Sequence, residues 1–263
     1  MNPIQLIRSF IRVSVQQELA YRTNFYINLI YSLISLIVGV LGLSVLFNQV
    51  NSILGWTFSQ TLALLGVYLT VGALRNLFIG PSLEKLAGLG QEISTGNFDF
   101  VLLKPLNTQF YVTFRSWRIY SLIDLALGAG VIGLAVSQSS APVSLLNLLT
   151  FFISLCAGVV VLYSLLLAFT ALVFWSPGFL FTWVFDSLFQ LARYPVGIYP
   201  AWLRIILTWI IPVGIITTIP AQALSGTAPL AVILISMGAA GFLFLAASWF
   251  FRFGLRRYAS ASS

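Results

Sequence analysis

Residues 145–169 read LLNLLTFFISLCAGVVVLYSLLLAF, with no charge and no proline. A helix of about 20 apolar residues crosses the hydrocarbon core of a bilayer, so this run is long enough to do so. In lipid every backbone N–H and C=O must be satisfied within the protein, which leaves helices and closed barrels as the only spanning structures. Barrel strands alternate apolar and polar residues, and this run does not alternate. It is therefore a spanning helix, and it sets the fold class: an all-α polytopic membrane protein.

The whole chain agrees. It has 263 residues, 59% hydrophobic and 7% charged, with a mean hydropathy of +1.00. A soluble domain carries about 25% charged residues. The balance is 13 Lys/Arg against 6 Asp/Glu. Most of that positive charge flanks apolar segments, as cytoplasmic anchoring residues do, so it reads as topology and no nucleic-acid partner is expected. Cys156 is the single cysteine and there is no histidine; that excludes an intrachain disulfide and a zinc site. Arg8, Arg12 and Arg22 punctuate the N-terminus, which does not read as a cleavable signal.

Outward from 145–169, the pattern predicts six crossings. Residues 1–22 form an amphipathic helix lying in the interface, with Ile4, Ile7, Ile11 and Val15 on one face and Arg8, Arg12 and Gln16 on another. Residues 23–74 carry no charge and hold spans one and two, near 25–47 and 57–79, broken at Asn48, Asn51 and Gly55. Arg75 snorkels from the end of the second. Residues 80–112 make a polar excursion with Glu84, Lys85, Glu92, Asp99 and Lys104; Arg115 and Arg118 follow. Spans three and four fall near 113–136 and 145–174, and the last at 230–252, with a tail at 253–263. Lysine and arginine counts place the polar loop and both termini on the cytoplasmic side. Trp56, Trp117, Trp175, Trp202 and Trp249 lie near span ends as an interfacial belt.

Residues 179–229 allow two readings. In one, 179–192 crosses as span five and 200–223 folds as a re-entrant hairpin bent at Pro212. In the other, 179–192 lies on the cytoplasmic surface and 200–223 is span five. The prolines Pro195, Pro200, Pro212 and Pro220 interrupt a straight helix, while Arg193 and Arg204 favour the second reading by charge.

No catalytic constellation is present, so the chain is not expected to be an enzyme. It has no G-x-x-x-x-G-K-[ST] motif, and GLGQEISTG at 88–96 lacks the lysine and the preceding strand that a phosphate loop needs. Asp124 and Asp186 fall within apolar segments, where a carboxylate is costly and needs a partner or a polar cavity. Arg193, two helical turns after Asp186, is its expected partner; Arg118 and Arg75 are those of Asp124. Such acids mark either a translocation path or internal structural pairs.

Two stretches carry a family resemblance. EISTGNFDFVLLKPLN at 92–107 is similar to the segment that follows the second span in ABC-2 type permeases, closest to the bacterial multidrug- and antibiotic-resistance subgroup. The matching positions are Ile93, Gly96, Asp99, Leu103, Pro105 and Leu106; Lys104 stands where arginine is common. IYPAWLRIILTWIIPVGIITTIPAQAL at 198–224 resembles the segment between spans five and six of that superfamily. The resemblance implies a bacterial plasma-membrane permease that dimerises with itself or a related permease and docks a separate cytoplasmic ATPase. ATP and magnesium would sit on that partner, with no cofactor on this chain. It implies that 82–106 carries the coupling element, with Phe98, Phe100 and Leu103 as an apolar knob and Glu92, Asp99 and Lys104 as its charged rim, beside Pro105. It also favours the re-entrant hairpin at 193–229, shaped by Pro200, Pro212 and Pro220. The function it implies is export of a hydrophobic or amphiphilic cargo: a drug-like molecule, a lipid or a lipid-linked glycan. An ion-coupled carrier or channel using Asp124 and Asp186, and a non-transporting assembly subunit, are the alternatives.

Overall fold

The computed structural model describes residues 3–20, 22–87, 92–93, 95–139, 142–177 and 181–258. Residues 88–91, within the glycine-containing stretch noted above, and 259–263 of the expected tail lie outside the described residues. The described chain is helical, with no β-strand beyond an isolated Ile53–Trp56 bridge.

The interfacial helix is α1, Pro3–Ala20. Arg8 and Arg12 are exposed as expected, and the stripe it turns toward the protein is a further one, which the sequence did not single out. Leu6 and Ser14 are buried, Phe10 meets the Tyr111 ring edge-on at 5.7 Å, and Glu18 bonds the chain at Ile119. Those residues recur every fourth position, one helix face. Ile4, Val13 and Leu19 are left exposed, as suits a helix whose outer side meets lipid.

Span one is α2, Arg22–Phe47, which stands mostly outside the bundle. Span two is α3, Phe58–Leu74, opened by a capping box in which Thr57 and Gln60 exchange side-chain and backbone bonds, worth about 1 kcal/mol. It does not stop near 79. A π-helical turn at Arg75–Ile79 carries it into α4, Gly80–Ala87, making one continuous apolar helix, Phe58–Ala87. The short α5, Asp99–Leu102, and α6, Thr108–Phe114, follow.

Span three differs from the expected 113–136. The helix is interrupted at 115–120 and resumes as α7, Ser121–Ser137, only 17 residues long. It packs most extensively on α3, because small residues bring the two backbones together. A β-carbon on Gly66 would lie 2.7 Å from the Ile132 side chain, and one on Gly128 would lie 2.6 Å from Thr70. Span four is α8, Leu145–Ala171, and the last span is α12, Leu230–Leu255; these two also pack along their length.

Between them, α9 covers Phe181–Phe189 and ends in a 3-10 turn at Gln190–Arg193. At about 1.5 Å per residue, nine residues fall well short of a bilayer. The proline-rich segment then forms two arms, Ala201–Ile210 and Gly214–Leu224, meeting at 76°. The first arm starts as α10, Ala201–Ile205, directly after Pro200; the second ends as α11, Ile219–Leu224, with Pro220 in its first turn. Pro212 sits in the break, with a π-helical turn on each side; such turns accommodate a residue that cannot donate to the ladder. The second arm packs on α8 at Gly158, where a β-carbon would lie 2.9 Å from the Ile216 carbonyl. Among the described residues, four helices are long and apolar enough to cross a membrane, five if the bent pair is one span.

Candidate functional site

The polar segment after α4 folds back on the bundle. Gly96 takes φ +74°, a left-handed turn that favours glycine, and Phe98 N–H donates to the Glu92 carbonyl at 3.0 Å. Glu92 is not a rim residue. Its two carboxylate oxygens accept from Arg115 Nη1 at 2.9 and 2.8 Å, and the arginine side chain is 6% exposed. Phe98 is not part of an outward knob either: it is 0% exposed. Its ring meets Phe174, just past the end of α8, at 5.9 Å and Tyr258, just past α12, at 5.2 Å.

The outward surface is the short helix these anchors support. Asp99 opens α5, and Phe100 and Leu103 are 67% and 80% exposed. Leu102, which the sequence did not single out, is exposed with them. Lys104 donates to the Tyr111 hydroxyl at 2.5 Å and lies over that ring, so it is fixed rather than trailing. Pro105 is exposed on the same side, and Asn107 then caps α6 by accepting from Phe110 N–H.

The interruption at 115–120 is held from three directions. Trp117 N–H donates to Ser14 Oγ and Ile119 N–H to Glu18 Oε1, both on α1. Ser116 exchanges bonds with Ser82 of α4, and Arg118 N–H donates to the Leu77 carbonyl. Free backbone donors at a helix start need partners, and here distant side chains supply them. Burial raises the Glu18 carboxyl above its ordinary range, against the lowering by the Ile119 and Tyr120 N–H groups and Arg118. From α6, Gln109 donates to Tyr163 of α8 and Ser248 of α12. The exposed tip is thus tied to the start of α7 and to the ends of α8 and α12.

The two acids expected at membrane depth, Asp124 and Asp186, sit elsewhere, around one polar cavity of about 810 Å³ lined from α2, α3, α7 and α9. Asp124, Asp186 and Arg193 all line it, but they pair differently from expectation. Asp186 Oδ1 is 2.5 Å from Arg75, not paired with Arg193. Arg193 instead lies 5.6 Å over the Tyr68 ring. Glu84 links Arg75, at 3.8 Å, to Arg118. Asp124 faces Ser32 of α2 and has no ion-pair partner among the described residues. Tyr31, Tyr68, Tyr120, Tyr194 and Tyr199 add ring surface with hydroxyl tips. A second cavity, of about 1150 Å³, lies between α1 and the start of α2. It shares Asn28, Arg118 and Tyr120 with the first, so the two adjoin.

A family model described as ABC-2 family transporter protein matches residues 33–262, nearly the whole chain. No curated protein matches the chain.

Proposed function

This chain belongs to the ABC-2 family of transporter proteins, and on that premise we propose that it is the permease subunit of an ATP-driven exporter. It is a membrane transport component, not itself catalytic; hydrolysis of magnesium ATP belongs to a separate cytoplasmic ATPase. The observation that carries the reading is the braced, outward-facing tip of Phe100, Leu102 and Leu103. An apolar cluster beside charged groups is the usual anatomy of a docking hot spot. Glu92–Arg115, buried Phe98 and Gln109 would pass the partner's movement to α7, α8 and α12. The segment and both termini then face the cytoplasm of a bacterial inner membrane. A second copy or a related permease completes the transporter.

The adjoining cavities supply a route. An amphiphile enters from the leaflet edge between α1 and α2 and reaches the polar, tyrosine-lined space around Asp124, Asp186 and Arg193. The mixture of rings, hydroxyls and charges of both signs suits a cargo with an apolar body and a polar head: a drug-like molecule, a lipid or a lipid-linked glycan. Asp124, which has no ion-pair partner among the described residues, favours a second reading, an ion-coupled carrier, in which that carboxyl titrates.

Affinity purification of the full chain from its native membranes tests the proposal. A P-loop ATPase co-purifies with the wild type and is lost from the Phe100→Asp/Leu103→Asp variant, which still inserts. Recovery of the wild type without an ATPase would overturn it.

A further inference from the structure

A third cavity, of about 560 Å³, runs between α6, α8 and α12 and shares no lining residue with the polar cavity. Its walls include Phe78, Phe114, Phe244 and Trp249. Phe78 and Phe114 stack nearly parallel at 6.0 Å, and Phe244 tilts against Tyr163 at 6.0 Å. The polar groups in its floor already satisfy one another: Gln109 donates to Tyr163 and Ser248, and Thr113 bonds Tyr163. The interior therefore offers an apolar slot and asks for no polar ligand atom.

One end is different. Arg252 lies one helical turn beyond Ser248 on α12, is exposed, and its guanidinium has no hydrogen-bond or ion-pair partner among the described residues. Among the described residues it is the one charged group lining the groove, and no acid lines it. Asn107 stands beside it in the lining, its side-chain oxygen used on Phe110 N–H, which leaves its amide N–H groups as donors. Leu245 and Trp249 on the same side are 69% and 67% exposed, so the groove opens sideways, where a membrane helix meets lipid. The occupant must have a long apolar body, a negative head, and access from the bilayer.

We propose that this groove binds one anionic phospholipid from the leaflet on the side of the α5–α6 segment, with its phosphate at Arg252 and an acyl chain along Phe78, Phe114 and Phe244. Basic pockets between helices near a membrane surface take anionic headgroups in this way. A free anionic solute would gain the arginine alone and lose the slot. The lipid would bridge α6 and α12 where Gln109 already joins them.

Trp249 is a built-in reporter. The full chain is placed in nanodiscs of phosphatidylcholine containing either brominated phosphatidylglycerol or brominated phosphatidylcholine at equal mole fraction. The wild-type minus Trp249→Phe emission isolates that one indole, which bromine quenches on contact. Brominated phosphatidylglycerol should quench it with about fivefold preference, the size of one basic contact to an anionic leaflet. Arg252→Ala should remove the preference, Arg252→Lys should keep most of it, and Arg256→Ala, on the nearby tail, should leave it intact. Equal quenching by the two lipids in the wild type would overturn the proposal. So would an equal loss in Arg256→Ala, which would indicate diffuse attraction to the tail. Quenching by neither lipid would also overturn it, because a protein surface such as a second copy would then cover the groove.

Discussion

Arg75 and Asp186 stand 2.5 Å apart, joining the π-helical turn of span two to α9. The pair is asymmetric. Arg75 also reaches Glu84 at 3.8 Å, whereas Asp186 has no second cation among the described ion pairs. Removing the arginine strands a carboxylate; removing the carboxylate leaves the arginine a partner. Arg75→Met should destabilise by about 1–3 kcal/mol, less than for an enclosed pair because Asp186 is 37% exposed. Asp186→Asn should cost less than about 1 kcal/mol. Thermal melting of the two variants in detergent decides this, and equal losses would contradict the asymmetry.

Phe98 and Leu103 lie five residues apart and should respond in opposite ways. Phe98→Ala opens a void among Phe174 and Tyr258 and should cost about 3–5 kcal/mol, seen as a lower melting temperature. Leu103→Asp, at an 80% exposed position, should leave melting unchanged while abolishing retention of the ATPase. A Leu103→Asp protein that melts early would place that residue inside the fold.

These two positions also mark what the sequence could and could not reveal. The runs at 23–74 and 145–169 announce membrane helices because charge is absent over whole crossings. The pairing of Asp186 was misread because a uniform helix was assumed from 186 to 193. The 3-10 turn at Gln190–Arg193 has three residues per turn and rotates Arg193 toward Tyr68. The break at 115–120 was invisible because the side chains that satisfy it, Ser14 and Glu18, lie about a hundred residues upstream. Leu102 went unnoticed because a helix of four residues has no periodicity to read.

Glu18 makes the α1 contact sensitive to pH. Burial raises its carboxyl in the folded protein, so the native state holds its proton at pH values where the unfolded chain has released it. Stability therefore falls as pH rises through the window between the unfolded and the folded value, and the cost is complete above it. Glu18→Gln should flatten that slope, because an amide does not titrate, and keep the stability, because its oxygen still accepts from Ile119 N–H. Glu18→Ala should also flatten it but lose about 1–2 kcal/mol by orphaning that N–H. Melting curves from pH 4 to 8 distinguish the three proteins; an unchanged slope in Glu18→Gln would assign the dependence to another group.

Gly158 holds the bent pair against α8, with the Ile215 and Ile216 carbonyls 3.0 and 2.9 Å from where a β-carbon would stand. Backbone on the facing side cannot swing away as a side-chain tip could. Gly158→Val should therefore displace the second arm and destabilise by about 2 kcal/mol, within the range for overpacking. Gly238→Val, at a position on α12 with nothing within 4 Å, is the matched control. Cysteine accessibility at Thr217, whose hydroxyl donates to the Ala192 carbonyl at 3.0 Å, should rise in the first variant alone.

Asp124 separates the two transport readings. It lines the polar cavity, faces Ser32 across the α2–α7 contact and has no described ion-pair partner. Asparagine keeps the shape and a hydrogen-bonding oxygen while removing the titrating proton. If ATP drives transport, Asp124→Asn should hold flux within about twofold of wild type, because the substitution takes away one polar contact among many in the cavity. If a proton gradient drives it, the same substitution should abolish flux, because a carboxyl at membrane depth is then the carrier of the ion. Flux of a fluorescent amphiphile into inside-out vesicles, with ATP and an ionophore added in turn, reads both outcomes. Flux that survives the ionophore, needs ATP and tolerates Asp124→Asn supports the exporter, whereas flux lost to the ionophore and to Asp124→Asn assigns the chain to the carriers.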